Sequence, residues 1–350
     1  MRIGLYGMPT AGKTHLLKKI DFIESLHGSI CLHTNCPDFD LKDELGKNMV
    51  RKELAKKLLC KETFIMDGHY AFGDKVAFTD LDGQLYDVFL YLYISPSVLK
   101  DRMEKSEKNK KYLSFDLEKW QLDEIKRLRA YCQENNKDFY VIDNPPDNYF
   151  GNDTEAVEFI KSIVDGFSCK KYADTLADKI LNITNSDVIT LFDGDKTITE
   201  SDSSKEVFGY VTQIFDGNFY TGYQSWKQSK EFKTYNFDDL EKLPVSLNEK
   251  VCKALDKDSF ILTSGHFRVW KYISNYLDVP FFTGSEMSAE TKYFITKRLQ
   301  NAGKKVIAYG DGMNDYYMLK QADLGYLVSK KDGAISNSLN GYDLGGVVIV

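Results

Sequence analysis

Ile3-Gly4-Leu5-Tyr6-Gly7-Met8-Pro9-Thr10-Ala11-Gly12-Lys13-Thr14 is a short apolar strand running straight into the pattern G-x-x-x-x-G-K-[ST], matched at every fixed position. Glycines in such a loop let the backbone wrap closely around phosphate oxygens with its N–H groups pointing inward. A helix following Thr14 would add its positive N-terminal end. In this context Gly7 and Gly12 shape the loop, Lys13 reaches the terminal phosphates of a nucleotide and Thr14 ligates Mg²⁺. Strand, glycine loop and helix together are the first step of an α/β alternation.

Working outward, further apolar runs lie at Ile30–His33, Thr63–Met66, Val88–Ile94 and Asp138–Ile142, with helical periodicity at Thr14–Ile20, Glu44–Leu59 and Ser97–Lys105. Continuous apolar strands alternating with helices predict a parallel sheet covered on both faces, with its ligand at the carboxyl ends of the strands. Asn144-Pro145-Pro146-Asp147-Asn148 then breaks the chain, and Thr154–Val164 reads as the closing helix of a first domain over residues 1–165. A connector at 166–186, partly helical through Tyr172–Leu181, leads to a second α/β pattern over 187–350. Its strands are Val188–Phe192, Phe260–Thr263, Val306–Tyr309 and Gly325–Val328. The expected fold class is α/β, with two domains that are each a mainly parallel sheet flanked by helices. An insert at about 199–258 holds Phe208, Tyr210, Phe215, Phe219, Tyr220, Tyr223 and Trp226, read as the core of a small helical cap.

At 350 residues the chain is long for one compact core, which agrees with two domains. A net charge of -6 exerts no global pull on polyanions and argues against a dedicated nucleic-acid binder. The six cysteines form no C-x-x-C pair, so reduced, packed thiols are expected. Directly after Met1 and Arg2 comes the first strand, leaving no room for a signal peptide, and the longest apolar run, Val88–Ile94, is far too short to span a bilayer. The expectation is a cytoplasmic protein with no membrane partner.

Phe64-Ile65-Met66-Asp67-Gly68-His69 ends a strand with a carboxylate beside the phosphate site, where Asp67 would hold Mg²⁺-bound water or act as a base. Leu92-Tyr93-Ile94-Ser95-Pro96-Ser97-Val98-Leu99-Lys100-Asp101-Arg102 resembles the strand-then-helix of nucleoside-monophosphate-kinase-like P-loop kinases, and the resemblance covers about residues 1–165. It implies ATP as phosphate donor, Arg102 on the nucleotide, and a closing lid at Lys105, Lys108, Lys110 and Lys111. Most such lids carry arginines, whose planar fork grips phosphates bidentately. Asp38, Asp40 and Asp43 lie where related kinases place a carboxylate that activates the acceptor, and the choice among them stays open.

Leu191-Phe192-Asp193-Gly194-Asp195-Lys196-Thr197 has the form D-x-D-x-[TV] directly after an apolar strand, and further motifs follow in order. This half resembles haloacid-dehalogenase-type phosphatases of the phosphoserine-phosphatase-like subgroup, implying a Rossmann-like fold with a helical cap. The resemblance makes Asp193 the nucleophile and Asp195 the proton donor to the leaving alkoxide. Ser264, preferred to Thr263, would bind the phosphoryl group with Gly265 and Thr197. Lys292, in Ser288-Ala289-Glu290-Thr291-Lys292, would neutralise the phosphoryl oxygens, with Lys297 as fallback. In Gly310-Asp311-Gly312-Met313-Asn314-Asp315, Asp311 would bind Mg²⁺ together with Asp193 and the Asp195 carbonyl, and Asp315 would orient that shell. Glu200 and Arg268 are candidates for reading the substrate's polar groups.

Three functions follow from these two sites. The preferred one is a bifunctional enzyme that transfers phosphate from ATP to a small molecule or nucleotide and hydrolyses phosphomonoesters with Mg²⁺. The second is a polynucleotide 5′-kinase/3′-phosphatase for nucleic-acid end healing. The third is a regulatory ligand-binding protein with one inactive domain.

Overall fold

The computed structural model describes residues 1–143, 153–209, 219–235 and 245–350. The chain divides into two compact units, Met1–Phe167 and Ser168–Val350.

In the first unit the strands are β1 (Arg2–Tyr6), β2 (Ser25–His27), β3 (Phe64–Asp67), β4 (Ala71–Phe72), β5 (Lys75–Val76), β6 (Val88–Tyr93) and β7 (Asp138–Asp143). Five of them form a parallel sheet in the order β2-β3-β1-β6-β7, while β4 and β5 make a small antiparallel pair. β6 is buried along its whole length, as its unbroken Val-Phe-Leu-Tyr-Leu-Tyr run requires of a central strand covered on both faces. Leu5 pairs with Asp67, so the end of β3 sits beside the start of the glycine loop. The helix Asp153–Val164 buries Ala156, Phe159, Ile160 and Ile163, the spacing of one helical face. Asn144–Asn148 lies outside the described residues.

One expected strand is a helix. Ile30–His33 belongs to the helix Gly28–Asn35, and the strand beside β3 is Ser25–His27. An apolar run of four residues does not distinguish the two periods, and Ile30 proves to be 61% exposed. The backbone N–H of Gly28 donates to Asp67 Oδ1 (2.7 Å) at the point where strand gives way to helix.

The second unit holds β8 (Val188–Asp193), β9 (Ser259–Leu262), β10 (Phe281–Phe282), β11 (Lys305–Gly310), β12 (Leu324–Leu327) and β13 (Val347–Ile349). All six are parallel, in the order β10-β9-β8-β11-β12-β13. β10 and β13 have two and three residues, too few to carry a periodic signal. The stretch expected as a connector is largely the helix Cys169–Ile183, capped by Ser168, whose hydroxyl accepts from the Lys171 N–H. Its buried Ala173, Leu176, Ala177 and Ile180 join Leu191, Phe260 and Ile295 in one core cluster, so it is part of the second unit. A second cluster of this unit gathers Phe192, Trp270 and Ile273.

Within the insert, Ser203–Phe208 and Gly222–Phe232 are helical. Phe219, Tyr220 and Tyr223 are buried, and Phe208 packs on Tyr235 and His266 with ring centroids 4.6 and 5.2 Å apart. Tyr210 and Phe215 lie outside the described residues. Among the described residues no helix is long and apolar enough to cross a membrane.

Candidate active sites

β8 lies inside its sheet and ends on Asp193, so the chain delivers this carboxylate to the carboxyl edge of the strands. Two residues on comes Asp195, and then Lys196 at φ 61°, a left-handed conformation that a non-glycine residue adopts at a cost of about 1–2 kcal/mol. From the helix Ala289–Asn301, fully buried Lys292 donates to Asp193 Oδ1 (2.5 Å) and to Asp315 Oδ1 (2.7 Å). The other oxygen of Asp315 accepts the N–H groups of Asp311 (3.1 Å) and Gly312 (3.4 Å). One carboxylate thus holds both the lysine and the loop that presents Asp311.

Carboxylate oxygens of Asp193, Asp311 and Asp315 lie within 4.8 Å of one another. Three hard oxygen donors so close together fit a divalent cation such as Mg²⁺. Burial, then repulsion from Asp315, raises the Asp193 carboxyl well above its usual range against the pull of Lys292. The same two causes push Asp311 to about 7. Asp195 is raised to about 6 by burial and then by Asp202, although its Oδ1 accepts the Ser203 N–H (2.7 Å). Burial works against the charge of Lys292, but Asp193 and Asp315 more than offset it and its pKa is raised.

A cleft of about 320 Å³ opens over these groups, lined by Asp193, Asp195, Ser264, Gly265, Asp311 and Asp315, with Phe219 and Tyr220 of the insert in its wall. Ser264 Oγ donates to the Met287 carbonyl (2.8 Å) and accepts from Asn314 Nδ2 (3.3 Å), while Thr263 Oγ1 accepts the Gly265 N–H (3.0 Å). Lys292 stands behind the carboxylates rather than in the wall. Lys297 lies over the Tyr293 ring, 5.7 Å from its centroid, away from this group. Thr197 is fully buried, its hydroxyl has no partner among the described residues, and it does not line the cleft. Glu200 is paired with Lys331 (2.8 Å), and Arg268 is exposed and outside the cleft wall.

In the first unit the loop after β1 turns through Gly7 (φ 151°), Thr10 (φ 66°) and Gly12 (φ 101°). Buried Lys13 donates to the carbonyls of Gly7 (2.5 Å) and Met8 (3.0 Å), with His69 Nδ1 at 3.4 Å. Burial lowers the Lys13 pKa to about 8, only partly opposed by Asp67 and Glu124. Burial and the neighbouring Lys13 hold His69 well below its ordinary value, so its ring is neutral. Thr14 Oγ1 donates to Asp67 Oδ2 (3.0 Å), which brings together the two residues expected around Mg²⁺. Arg102 Nη1 donates to the carbonyls of Thr10 (3.2 Å) and Ala11 (3.1 Å), bracing the loop backbone.

A cleft of about 470 Å³ runs from Gly12, Lys13 and Thr14 past Asp67, Asp40 and Arg51. Of the three acidic candidates only Asp40 lines it. Asp38 accepts from Lys42 (3.0 Å), and Asp43 caps the helix Glu44–Leu58 by accepting the Gly46 N–H (2.8 Å). Of the four lid candidates only Lys108 lines the cleft. Lys105 pairs with Asp101 (2.8 Å), Lys110 with Glu107, and Lys111 lies over the Tyr112 ring. Sequence reasoning missed Arg51, whose guanidinium sits 5.5 Å from the Phe39 ring centroid and donates to Asn48 Oδ1 (2.6 Å). Among the described residues it has no carboxylate within 4 Å. In a helix rich in lysine, nothing in the pattern singled it out.

The family model of haloacid dehalogenase-like hydrolases matches residues 86–339. The chain belongs to this family. The matched span starts inside the first unit, whereas every aspartate and lysine of the hydrolase site lies in the second. An uncharacterized protein of Methanocaldococcus jannaschii is 41% identical over 61 residues, 17% of this chain and 66% of that protein. The chain therefore spans just under two thirds of that relative's length. Among solved structures, shikimate kinase from Acinetobacter baumannii in complex with shikimate is 18% identical, with a TM-score of 0.34 over 46% of this chain and 93% of the kinase. Phosphoserine phosphatase in its apo form is 16% identical, with a TM-score of 0.29 over 41% of this chain and 87% of the phosphatase.

Proposed function

We propose that the chain is a bifunctional enzyme. Its second unit hydrolyses phosphomonoesters through an aspartyl-phosphate, and its first transfers phosphate from ATP to a small hydroxylated molecule or nucleotide. The observation that carries the hydrolase reading is the buried Lys292 bridging Asp193 and Asp315 at the carboxyl edge of the sheet. Asp193 attacks phosphorus, the bond from phosphorus to the leaving oxygen breaks, and Asp195 gives that oxygen its proton. Asp195 then takes a proton from water, which attacks phosphorus, and the bond to Asp193 breaks to release inorganic phosphate. Lys292 opposes protonation of Asp193, and Ser264 and Gly265 would exchange their present acceptors, the Met287 carbonyl and Thr263 Oγ1, for phosphoryl oxygens. Asp193, Asp311 and the Asp195 carbonyl would hold a Mg²⁺ ion, with Asp315 steadying the loop, and the ion would supply charge neutralisation.

The kinase reading is supported by the glycine loop with Lys13, and by the contact of Thr14 with Asp67. Lys13 would exchange its carbonyl partners for phosphate oxygens, a step favoured by its having no carboxylate partner among the described residues. In the remainder of the cleft, Asp40 or Asp67 would take the acceptor's hydroxyl proton, and Arg51 would hold an anionic group of the acceptor. The test uses Mg²⁺ with p-nitrophenyl phosphate for the hydrolase, and labelled ATP with a panel of small hydroxylated acceptors for the kinase. Labelling of a 5′-hydroxyl oligonucleotide, together with loss of phosphate from a 3′-phosphate oligonucleotide, would replace the small-molecule reading by the end-healing one.

A further inference from the structure

Beside the hydrolase cleft lies a much larger groove of about 1180 Å³, built wholly from the second unit. Lys196, Asp202, Asp311, Ser336 and Ser338 line both spaces, so the groove opens directly off the place where phosphate would be cleaved. Five lysines line it: Lys196, Lys205, Lys250, Lys330 and Lys331. Lys331 is neutralised by Glu200. Among the described residues the other four make no ion pair, although each is exposed. Three carboxylates besides Asp311 share the groove. They are Glu200, paired with Lys331, Glu206, and Asp202, which keeps its charge while capping the helix Ser203–Phe208 by accepting the Lys205 N–H (3.0 Å). Apart from Asp311, five lysine side chains face three carboxylate side chains, so the groove is positive on a protein whose net charge is -6. Lys196 stands at the junction in its left-handed conformation, the kind of local strain that clusters at ligand sites.

We infer that this groove holds the leaving-group side of the substrate and that the leaving group carries further phosphates. A leaving group with one compact neutral moiety would fill the 320 Å³ cleft and leave the lysines unused. Several cations along a groove that leads to a phosphate-cleaving centre raise the local concentration of polyanions and orient them. Two sources share this chemistry, a small molecule with a second phosphate and the end of a nucleic-acid strand. The inference rests on the proposed hydrolase activity.

The experiment compares kcat/KM, with Mg²⁺, for p-nitrophenyl phosphate, a nucleoside 3′,5′-bisphosphate and a short single-stranded oligonucleotide bearing a 3′-phosphate. We expect at least one phosphate-bearing leaving group to exceed p-nitrophenyl phosphate by about tenfold or more, with an advantage that shrinks as salt rises. An advantage equal for bisphosphate and oligonucleotide assigns the small molecule. One that grows with strand length, with a logarithmic salt slope of about 0.7 per phosphate held, assigns the strand. In the triple variant Lys205→Gln, Lys250→Gln, Lys330→Gln the selectivity ratio should fall by about tenfold. Equal efficiency for all three substrates, an advantage indifferent to salt, or a triple variant that keeps its full selectivity overturns the groove while leaving the hydrolase intact. If the variant fails to fold, the wild-type ratio and its salt dependence still decide. Absence of hydrolysis with every substrate overturns both readings.

Discussion

Each unit buries a lysine at the carboxyl edge of a parallel sheet, and the two lysines are opposites. Lys292 lies between two carboxylates and its pKa is raised, whereas Lys13 is held by two backbone carbonyls and its pKa falls to about 8. The same desolvation acts on both, so the difference lies in the partners. Lys292 is already neutralised by the groups that position it, which makes it part of a preassembled anionic cluster. Among the described residues Lys13 has no carboxylate in contact, so on the proposed kinase reading it would receive an incoming polyphosphate. A buried lysine can thus be a clasp between carboxylates or a cation held by carbonyls alone, and the nearest acceptors tell which.

The largest expected effects would break the independence of the two sites. Asp193→Asn should remove p-nitrophenyl phosphate hydrolysis by about three orders of magnitude or more while ATP-dependent transfer persists. Lys13→Ala should do the reverse, measured with the same pair of assays. Loss of both activities in either variant would show that the units work as one centre. Stability should then separate the two lysines. Lys292→Met leaves Asp193 and Asp315 as uncompensated buried charges and should cost about 3–5 kcal/mol in denaturant unfolding. Lys13→Met removes a desolvated cation with no carboxylate in contact among the described residues and should cost less than about 1 kcal/mol, because the lost carbonyl hydrogen bonds are offset by the relieved burial. Equal losses in the two variants would contradict the contrast.

Much of this contrast was legible in the chain before any coordinates. Short, strongly apolar strands such as Val88–Tyr93 and Val188–Asp193 announced two parallel sheets, because only strands buried on both faces read that way. The motifs then named the lysines and aspartates, since phosphate chemistry demands those groups just past a strand. What stayed hidden was spatial. Asp38, Asp40 and Asp43 are equivalent in sequence, and only folding turns Asp40 toward the cleft while Asp43 is used as a helix cap. Arg51 and the lysine groove come from residues far apart or lost among other basic side chains, so no local pattern marks them. Ile30–His33 misled because four apolar residues satisfy either period, and the helix Cys169–Ile183 was underrated because its partners lie in the second core.

Two glycines sharpen the contrast at lower cost. A methyl group at Gly310 would fall 2.3 Å from Asp315 Cβ, so Gly310→Ala must displace the carboxylate that holds Lys292 and the Asp311 loop. Hydrolysis should drop by about two orders of magnitude, with roughly 1–3 kcal/mol of stability lost to overpacking. At Gly12 the nearest atom to such a methyl is Arg102 Nη1 at 3.5 Å, and the obstacle is a φ of 101°. Gly12→Ala should therefore cost about 1–2 kcal/mol of backbone strain and weaken nucleotide binding through loop distortion. Isothermal titration with ATP for one variant and phosphatase kinetics for the other check the pair, and a tolerated Gly310→Ala would show that Asp315 is less fixed than its contacts imply.

The smallest effect concerns Glu124, the weaker of the two carboxylates that oppose the lowering of the Lys13 pKa. It is buried and accepts from Tyr91 Oη (2.7 Å), Trp120 Nε1 (2.9 Å) and the Ala71 N–H (3.0 Å), yet burial still raises its pKa above 4.5. The folded chain therefore keeps the proton at a pH where the unfolded chain has released it. Stability from this group is full below about pH 4.5 and declines as pH rises through the folded pKa, by about 1.4 kcal/mol for each pH unit between the two values. Glu124→Gln cannot titrate and places an amide N–H₂ where one oxygen accepted a donor, at a cost of about 1–3 kcal/mol. Its deficit against wild type in thermal unfolding should be greatest near pH 4 and narrow toward pH 7. A deficit that widens with pH would mean that the three donors stabilise the ionised form more than burial opposes it, and Glu124 would then be a fixed negative charge sustaining the charge on Lys13.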